Sequence, residues 1–256
     1  MIVLSGHAEH IVGNQSSMIK KGDVFVINGS VEHGFAAADE LEIYNLMFDS
    51  NRPYFESSAL RVLPGYQALF TVDPLAREQQ SHVPYLNLDD DSLTKVASLL
   101  QQLETEYKQA ALGFETLLIS MLQQLAVILV RLYPEQAQPK QINTLALARA
   151  LSFIEQHFHD PELRATDIAN KSFLSTRQLE RLFQQFFNTT PGQYLNDMRI
   201  SRAKELLASE ISLNINQVAQ QCGFNDSNYF SRVFRKQTSL SPREYRKQQY
   251  ADSTIA

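Results

Sequence analysis

The stretch VAQQCGFNDSNYFSRVF, residues 218–234, decides the reading of this chain, because an earlier stretch has nearly the same layout. IANKSFLSTRQLERLF, residues 168–183, aligns with it. Ile168-Ala169 matches Val218-Ala219 at an offset of 50. Leu179, Arg181 and Phe183 match Phe230, Arg232 and Phe234 at an offset of 51. The extra residue lies in or just after the turn. In each copy a short helix ends, a tight turn follows, and a second helix begins with a Leu/Phe stripe on one side and polar residues on the other. That is the pattern of a helix-turn-helix unit.

The helix starts are marked. Ser175 with Gln178 makes a Ser-x-x-Gln capping box for the second helix of the first copy. Asn225 or Asp226 can cap its counterpart. Thr190-Pro191-Gly192-Gln193 places a capping Thr before a Pro at the first helical position, and Ser241-Pro242-Arg243-Glu244 repeats the device. Between the copies, Tyr194, Leu195, Met198, Ala203, Leu206 and Leu207 have the spacing of one long amphipathic helix. Such a helix would hold the two units at a fixed distance.

The polar faces carry chemistry that suits DNA. In the first unit Leu179, Leu182, Phe183 and Phe186 form the apolar stripe, and Arg177 and Arg181 project from one face. In the second, Tyr229, Phe230, Val233 and Phe234 are expected to face inward, leaving Ser227, Asn228, Ser231 and Arg232 outside. Arg can bond a guanine edge through two hydrogen bonds, and Asn an adenine edge. Lys204, Arg235, Lys236, Arg243 and Arg246 suit phosphates, which position a protein without reading sequence. One helix with two Arg is ordinarily a solvated face; duplication of the whole pattern makes DNA binding the better reading. Cys222 reads as a small buried residue before the Gly turn.

The rest of the chain bounds the setting. Its 256 residues are 44% apolar and 20% charged, a composition for folded domains with a sizeable core. The single Cys excludes an intrachain disulfide framework and a multi-Cys zinc site, and points to a reducing, cytoplasmic compartment. No signal segment is recognised at the start, and the longest uninterrupted apolar run, Leu125–Val130, is too short to cross a bilayer. Charge divides unevenly: 9 Lys and Arg against 17 Asp and Glu through Ile142, then 14 against 11. The mild basic excess of the second part permits nucleic-acid binding without requiring it.

The first third reads as short strands, IVLSG, EHIVGN, SMIKKGDVFVING and LEIYNLMF, with Val24–Ile27 a buried-strand candidate. Closely spaced strands suggest a small sandwich or barrel. Asn51–Pro84 reads as a loop-rich wrap. Two helices follow, with apolar stripes at Leu93, Val96, Leu100, Leu103 and Tyr107, and at Phe114, Leu118, Met121, Leu125, Ile128 and Leu132. Gln109–Gly113 turns between them and Pro134 ends the second. Leu117, Leu122 and Leu129 add apolar surface beside the second stripe, which suggests a homodimer seam. Pro134–Asn143 has linker composition. The expected domains are residues 1–138, a linker at 139–146, and 147–250.

From about Asn143 to Gln248 the chain resembles the DNA-binding domain of the AraC/XylS family of bacterial transcription regulators. VAQQCGFNDSNYFSRVFRKQTSLSPREYR and TTPGQYLNDMRISRAKELLA carry the resemblance. It implies base-facing positions at Arg177, Glu180 and Arg181 in the first unit, and at Ser227, Asn228, Ser231 and Arg232 in the second. It also implies double-stranded DNA as partner, RNA polymerase as a further partner, and a place at the bacterial nucleoid. Phe173 stands where the family often has Gly, so a strained or reshaped first turn is expected. Glu180 could accept from cytosine N4 or repel a phosphate.

Residues 20–35, KKGDVFVINGSVEHGF, and the two helices after them resemble the family's cupin-like sensor domains. GFNDSNYFS and the region YNLMFD…LPGYQALF look like the rhamnose-type regulators. The implied fold is α+β: a cupin-like β-sandwich or barrel with a helical hairpin, then an all-α domain of two helix-turn-helix units. The chain starts where a strand following the usual His-x-His pair would end, so the sensor's first strands are expected to be absent or upstream. A cupin metal needs clustered His and a carboxylate. His33 matches only the later position, and His7 and His10, placed after the first strand, form no His-x-His pair. No metal or other cofactor is expected. His33 is a candidate contact for a small-molecule effector, a sugar by resemblance. The chain is read as a regulator, an activator by the same resemblance, and not an enzyme; the alternative is a cupin-type sugar-modifying enzyme with a DNA-binding appendage.

Overall fold

The computed structural model describes residues 1–27, 32–48, 59–79, 86–133, 142–210 and 212–253. The chain divides into two compact units, Met1–Ser152 and Phe153–Ala256.

The first unit opens with an antiparallel sheet. Strand β1 (Ile2–Val12) pairs with β2 (Gln15–Lys20) through the two-residue turn Gly13-Asn14, with Gly13 at φ +57°. Along its length β1 also pairs with β4 (His33–Tyr44). A short β3 (Asp23–Val24) meets the start of β1 and pairs with β5 (Leu86–Asn87). Register shifts between Val3 and Glu9 bend the β1–β4 ladder, which is how bulges add twist and curvature. Gly6 lies in this stretch at φ +69°, and a Cβ there would meet the Glu40 carbonyl oxygen at 2.2 Å.

Side chains opposite one another in an antiparallel ladder share a face. His10 therefore stands with Ser17 and Phe35, and Val12 with His33. His7 and His10 both lie within β1, not after a strand, and they differ in environment: His7 is exposed and His10 fully buried. The expected strand Val24–Ile27 is shorter than read, although Phe25 beyond it is fully buried.

Helices complete this unit. Residues 59–79, inside the expected loop-rich wrap, are largely helical: α1 (Pro64–Tyr66), a π-helical turn (Gln67–Val72) and α2 (Asp73–Gln79). Pro64 sits at the start of a helix, where its missing N–H costs nothing. The π turn, closed by the Asp73 N–H on the Ala68 carbonyl, precedes Pro74. Two prolines thus disguise a helical spacing of buried Tyr66, Leu69, Val72 and Ala76. The remainder of the wrap, residues 51–58 and 80–84, lies outside the described residues.

Helices α3 (Asp90–Gln109) and α4 (Phe114–Leu132) form the expected hairpin, turned by Ala110 at φ +45° and Gly113 at φ +87°. Asp89 caps α3 through the Ser92 N–H at 2.8 Å, and that bond holds its carboxyl below the usual range. Leu93, Val96, Leu100 and Leu103 are buried, but Tyr107, read as part of the stripe, is exposed. On α4 the buried face is Leu125, Ala126, Leu129 and Val130, rotated from the expected stripe. Ala126 and Val130 pack with Leu60 and Tyr66. The uninterrupted apolar run on α4 is short, yet the whole helix is long and apolar enough to cross a membrane, at mean hydropathy 1.5. Only 22% of that apolar stretch is buried within the unit, in part where Ala126 and Val130 pack with Leu60 and Tyr66.

Helix α5 (Ile142–His157) follows, so residues 142–146 of the expected linker are helical while 139–141 lie outside the described residues. The second unit contains α6 (Ala165–Lys171), α7 (Thr176–Phe187), α8 (Pro191–Ser209), α9 (Ile215–Gln221), α10 (Ser227–Thr238) and α11 (Pro242–Ser253). The pairs α6–α7 and α9–α10 are the two repeats. On one side of α8, Ile200, Ala203, Leu206 and Leu207 join Val218, Ala219, Cys222, Phe224, Phe230 and Phe234 in a single core. Each fully buried large side chain such as Phe230 or Phe234 stabilises by about 1.5–3 kcal/mol. Toward the start of α8, Tyr194 meets the α7 rings Phe183 and Phe187 at 5.4 and 5.1 Å. One helix thus carries a repeat near each end.

Candidate nucleic-acid interface

The two turns are nearly superimposable in their hydrogen bonds. In the first, Ser172 N–H donates to the Ile168 carbonyl at 3.1 Å, Phe173 N–H to Asn170 at 3.2 Å and Leu174 N–H to Ala169 at 2.9 Å. In the second, Cys222 donates to Val218 at 3.1 Å, Gly223 to Gln220 at 3.0 Å and Phe224 to Ala219 at 2.9 Å. Both closing bonds require the central residue in the left-handed region: Phe173 at φ +59° and Gly223 at φ +80°. The expected strain at Phe173 is therefore present without a reshaped turn. The extra residue of the second copy is Asn225, inserted between Phe224 and the cap Asp226.

Caps then aim the second helix of each unit. Ser175 Oγ accepts from the Gln178 N–H at 3.2 Å and Gln178 Oε1 from the Ser175 N–H at 2.9 Å. Asp226, rather than Asn225, caps α10, accepting from the Asn228 N–H at 2.8 Å. Thr190 caps α8, and Ser241 with Glu244 caps α11 at 3.3 and 2.7 Å. The Ser241 bonds hold the Glu244 carboxyl below its ordinary range. A capping box of Asn214 and Gln217 at the start of α9, at 2.9 and 2.8 Å, went unread in the sequence although its Asn-x-x-Gln spacing marks it.

Outside the caps, Arg177, Glu180 and Arg181 are all exposed on α7. On α10 Asn228 and Arg232 are exposed, while Ser227 and Ser231 are half-buried, with Ser231 Oγ donating to the Ser227 carbonyl at 2.8 Å. Tyr229 is not the inward residue its place beside Phe230 suggested. It is 43% exposed, and the Arg232 guanidinium lies 5.8 Å from its ring centroid. Phe230 and Phe234 are fully buried in the core, and Val233 packs partly buried against it. Arg235, Lys236 and Arg243 are exposed and Lys204 is half-buried. Arg246 is also half-buried, with Nε and Nη2 turned away from solvent.

Cys222 is fully buried, and burial pushes its thiol up to about 12, far from a reactive thiolate. Ser172, its counterpart, is buried too and donates to the Ile168 and Ala169 carbonyls at 2.7 and 3.1 Å.

Sequence reading missed Arg199. It is 7% exposed on α8, donates from Nε to the Phe158 carbonyl at 2.7 Å and from Nη2 to the Asp160 carbonyl at 2.6 Å, and lies 5.6 Å from the Phe224 ring centroid. Burial lowers its pKa from the ordinary value, opposed by the nearby Asp160 charge. The signal was present: Leu195, Arg199, Ala203 and Leu207 step by four, which places a cation inside an apolar stripe.

In the first unit, His33 is exposed at the start of β4, with its ring centroid 5.7 Å from His10 and 6.3 Å from Phe35. His10 stacks on Phe35 at 5.0 Å and meets Phe25 at 4.7 Å. Among the described residues no group of three or more His, Cys, Asp and Glu could hold a metal ion.

Residues 168–248 match a family model described as a helix-turn-helix domain. The chain is 28% identical over 249 residues to the HTH-type transcriptional activator RhaR of Yersinia pseudotuberculosis, covering 96% of this chain and 81% of the relative. To RhaR of Mannheimia succiniciproducens it is 27% identical over 246 residues, covering 96% and 83%. A solved AraC-type DNA-binding regulator from Chromobacterium violaceum is 38% identical, covering 41% of this chain and 91% of that one, with a TM-score of 0.38. The two RhaR relatives are named transcriptional activators, and the family model spans both repeats. The chain belongs to the AraC family of DNA-binding transcription regulators, alongside members of the rhamnose-regulator type.

Proposed function

We propose that this protein is an effector-controlled transcription activator in which α7 and α10 are recognition helices of one DNA reader. The observation that carries the reading is the duplicated turn: two units with the same backbone hydrogen bonds, each capped so that a polar, solvent-facing helix start follows. Arg177, Glu180 and Arg181 read one major groove, and Ser227, Asn228, Ser231 and Arg232 read the next. Successive major grooves on one face of a duplex lie about 34 Å apart, and α8 serves as the spacer. Lys204, Arg235, Lys236, Arg243 and Arg246 take phosphates, Arg246 through its outer edge.

The sheet of the first unit acts as a cupin-like sensor of a small polar effector, a sugar by similarity to the named relatives, with His33 at its lip. The apolar flank of α4, with Leu117 exposed, is the seam of a homodimer, and RNA polymerase is the downstream partner. The functional domains are residues 1–138 and 147–250, and the setting is the cytoplasm, at the nucleoid.

The test is a mobility-shift titration of the full chain against duplexes it selects from a randomised pool. Affinity should fall steeply as salt rises, because each neutralised phosphate releases counterions with a slope of about −0.9 per contact in log–log form. A flat salt response overturns the reading. A thermal-shift screen of sugars tests the effector; a ligand at about 100 times its Kd adds ~2.7 kcal/mol of stability.

A further inference from the structure

The second turn is held in a way the first is not. Gly223 packs so closely that a Cβ there would sit 2.4 Å from the Phe158 carbonyl oxygen and 2.9 Å from Arg199 Nε. Arg199 in turn grips that same Phe158 carbonyl and the Asp160 carbonyl, with its guanidinium near Phe224 of the turn. Asn225, the residue the first unit lacks, donates from Nδ2 to Glu162 Oε1 at 3.2 Å. Two residues of the segment between α5 and α6, Phe158 and Glu162, therefore meet the turn that leads into α10, and a third, Asp160, is held by Arg199 of α8. From α8, Asp197 also accepts a hydrogen bond from Gln237 of α10. Phe173, the counterpart of Gly223, is 82% exposed.

We infer that Arg199, with the carbonyls of Phe158 and Asp160, is a clamp that sets the angle of α10, so that Arg199 is a positioning residue for base readout by Asn228 and Arg232. The inference rests on the reading of α10 as a recognition helix. The physical reason is directional. A buried guanidinium bonded to two carbonyls cannot shift without leaving a desolvated donor unpaired, and its planar fork fixes both bonds at once. Gly223 lies against this fork, and α10 begins four residues later. A rotation at the turn would swing Asn228 and Arg232 out of register while the apolar stripe of Phe230 and Phe234 still kept the helix folded. The first recognition helix has its own stripe and Tyr194 as support, so it does not depend on the clamp.

The test uses the full chain and the duplex it selects from a randomised pool. Base preference is measured position by position, by competition with single-base variants, for the native chain, Arg199→Lys, Asn225→Ala, Arg232→Ala and Arg177→Ala, with the melting temperature of each. Arg199→Lys keeps the charge but loses the planar fork that fixes both carbonyl bonds at once. It should flatten preference roughly fivefold or more at the block of positions that Arg232→Ala affects, the scale of one well-made base contact. The block affected by Arg177→Ala should keep its native preference. Asn225→Ala, at an exposed position, should move the same block by less. Equal loss over both blocks means a merely structural role and overturns the clamp, as does unchanged preference in a folded Arg199→Lys chain. If Arg199→Lys does not fold, unchanged second-block preference in Asn225→Ala overturns it. An Arg232→Ala chain with native preference everywhere instead removes the base-reading role of α10, and the clamp's function with it.

Discussion

The two helix-turn-helix units share one backbone path and differ in what surrounds it. Both turns close on the carbonyl of an Ala, Ala169 or Ala219, and both need a left-handed residue in the middle. The first unit uses Phe173 there and the second Gly223. A left-handed non-Gly residue costs about 1–2 kcal/mol, which the first turn tolerates because Phe173 is largely exposed. The second turn has no such freedom, since the Phe158 carbonyl and Arg199 occupy the space a side chain would need. Identical φ requirements thus impose different sequence requirements, and packing decides which residue each turn accepts.

The largest effect should come from Gly223→Ala. Left-handed strain adds to a backbone clash at 2.4 Å, and a loss of ~3 kcal/mol or more is expected, read by urea denaturation followed by circular dichroism. A loss below about 1 kcal/mol would show that the turn is not docked as described.

Next in size are the base contacts. Arg232→Ala and Arg177→Ala should each weaken binding by ~1–3 kcal/mol at a single base position, in different halves of the selected site. A uniform loss across all duplexes would reassign the residue to phosphate.

Cys222 and Ser172 then separate the units by pH. The buried Cys222 thiol titrates near 12 in the folded chain against an ordinary value of 9.0. The folded state therefore holds that proton longer than the unfolded state does. Its contribution is complete below about pH 9 and is lost as pH rises toward about 12, by up to ~1.4 kcal/mol per pH unit. Cys222→Ser, placing the hydroxyl that Ser172 already shows to be compatible with this turn, should remove that part of the alkaline loss; denaturation midpoints from pH 8.5 upward provide the check.

Smaller still are the local changes in the first unit. Ser175→Ala removes half of a capping box and should cost ~1 kcal/mol. Phe173→Gly relieves the left-handed strain and should add up to ~1 kcal/mol of stability, partly offset by the entropy of Gly. If Phe173→Gly destabilises instead, the exposed ring has a packing role within the unit. Both are read by the same denaturation measurement.

How much of this was legible depended on whether the information was local. Caps at Ser175, Thr190 and Ser241, the Leu/Phe stripes of α7 and α10 and the left-handed demand at Phe173 all follow from neighbours a few residues apart, and the structure holds each of them. The choice of Asp226 over Asn225 as cap, the outward Tyr229 and the exposed Tyr107 do not, because helical spacing allows two adjacent phases and only the partner surface selects one. The helix behind Pro64 and Pro74 was hidden for a related reason: proline forbids a helix interior but not a helix start or the residue after a π turn.

The sequence alone determined the duplicated motif, its polar leading faces and the family to which they belong, because repeats, caps and stripes are written at separations of three or four residues. Tertiary structure decided which turn must be glycine, where the inserted residue goes and that Arg199 is buried between two carbonyls. Those outcomes depend on segments about forty to sixty residues apart meeting in space, and no local pattern encodes which carbonyl will arrive beside which side chain.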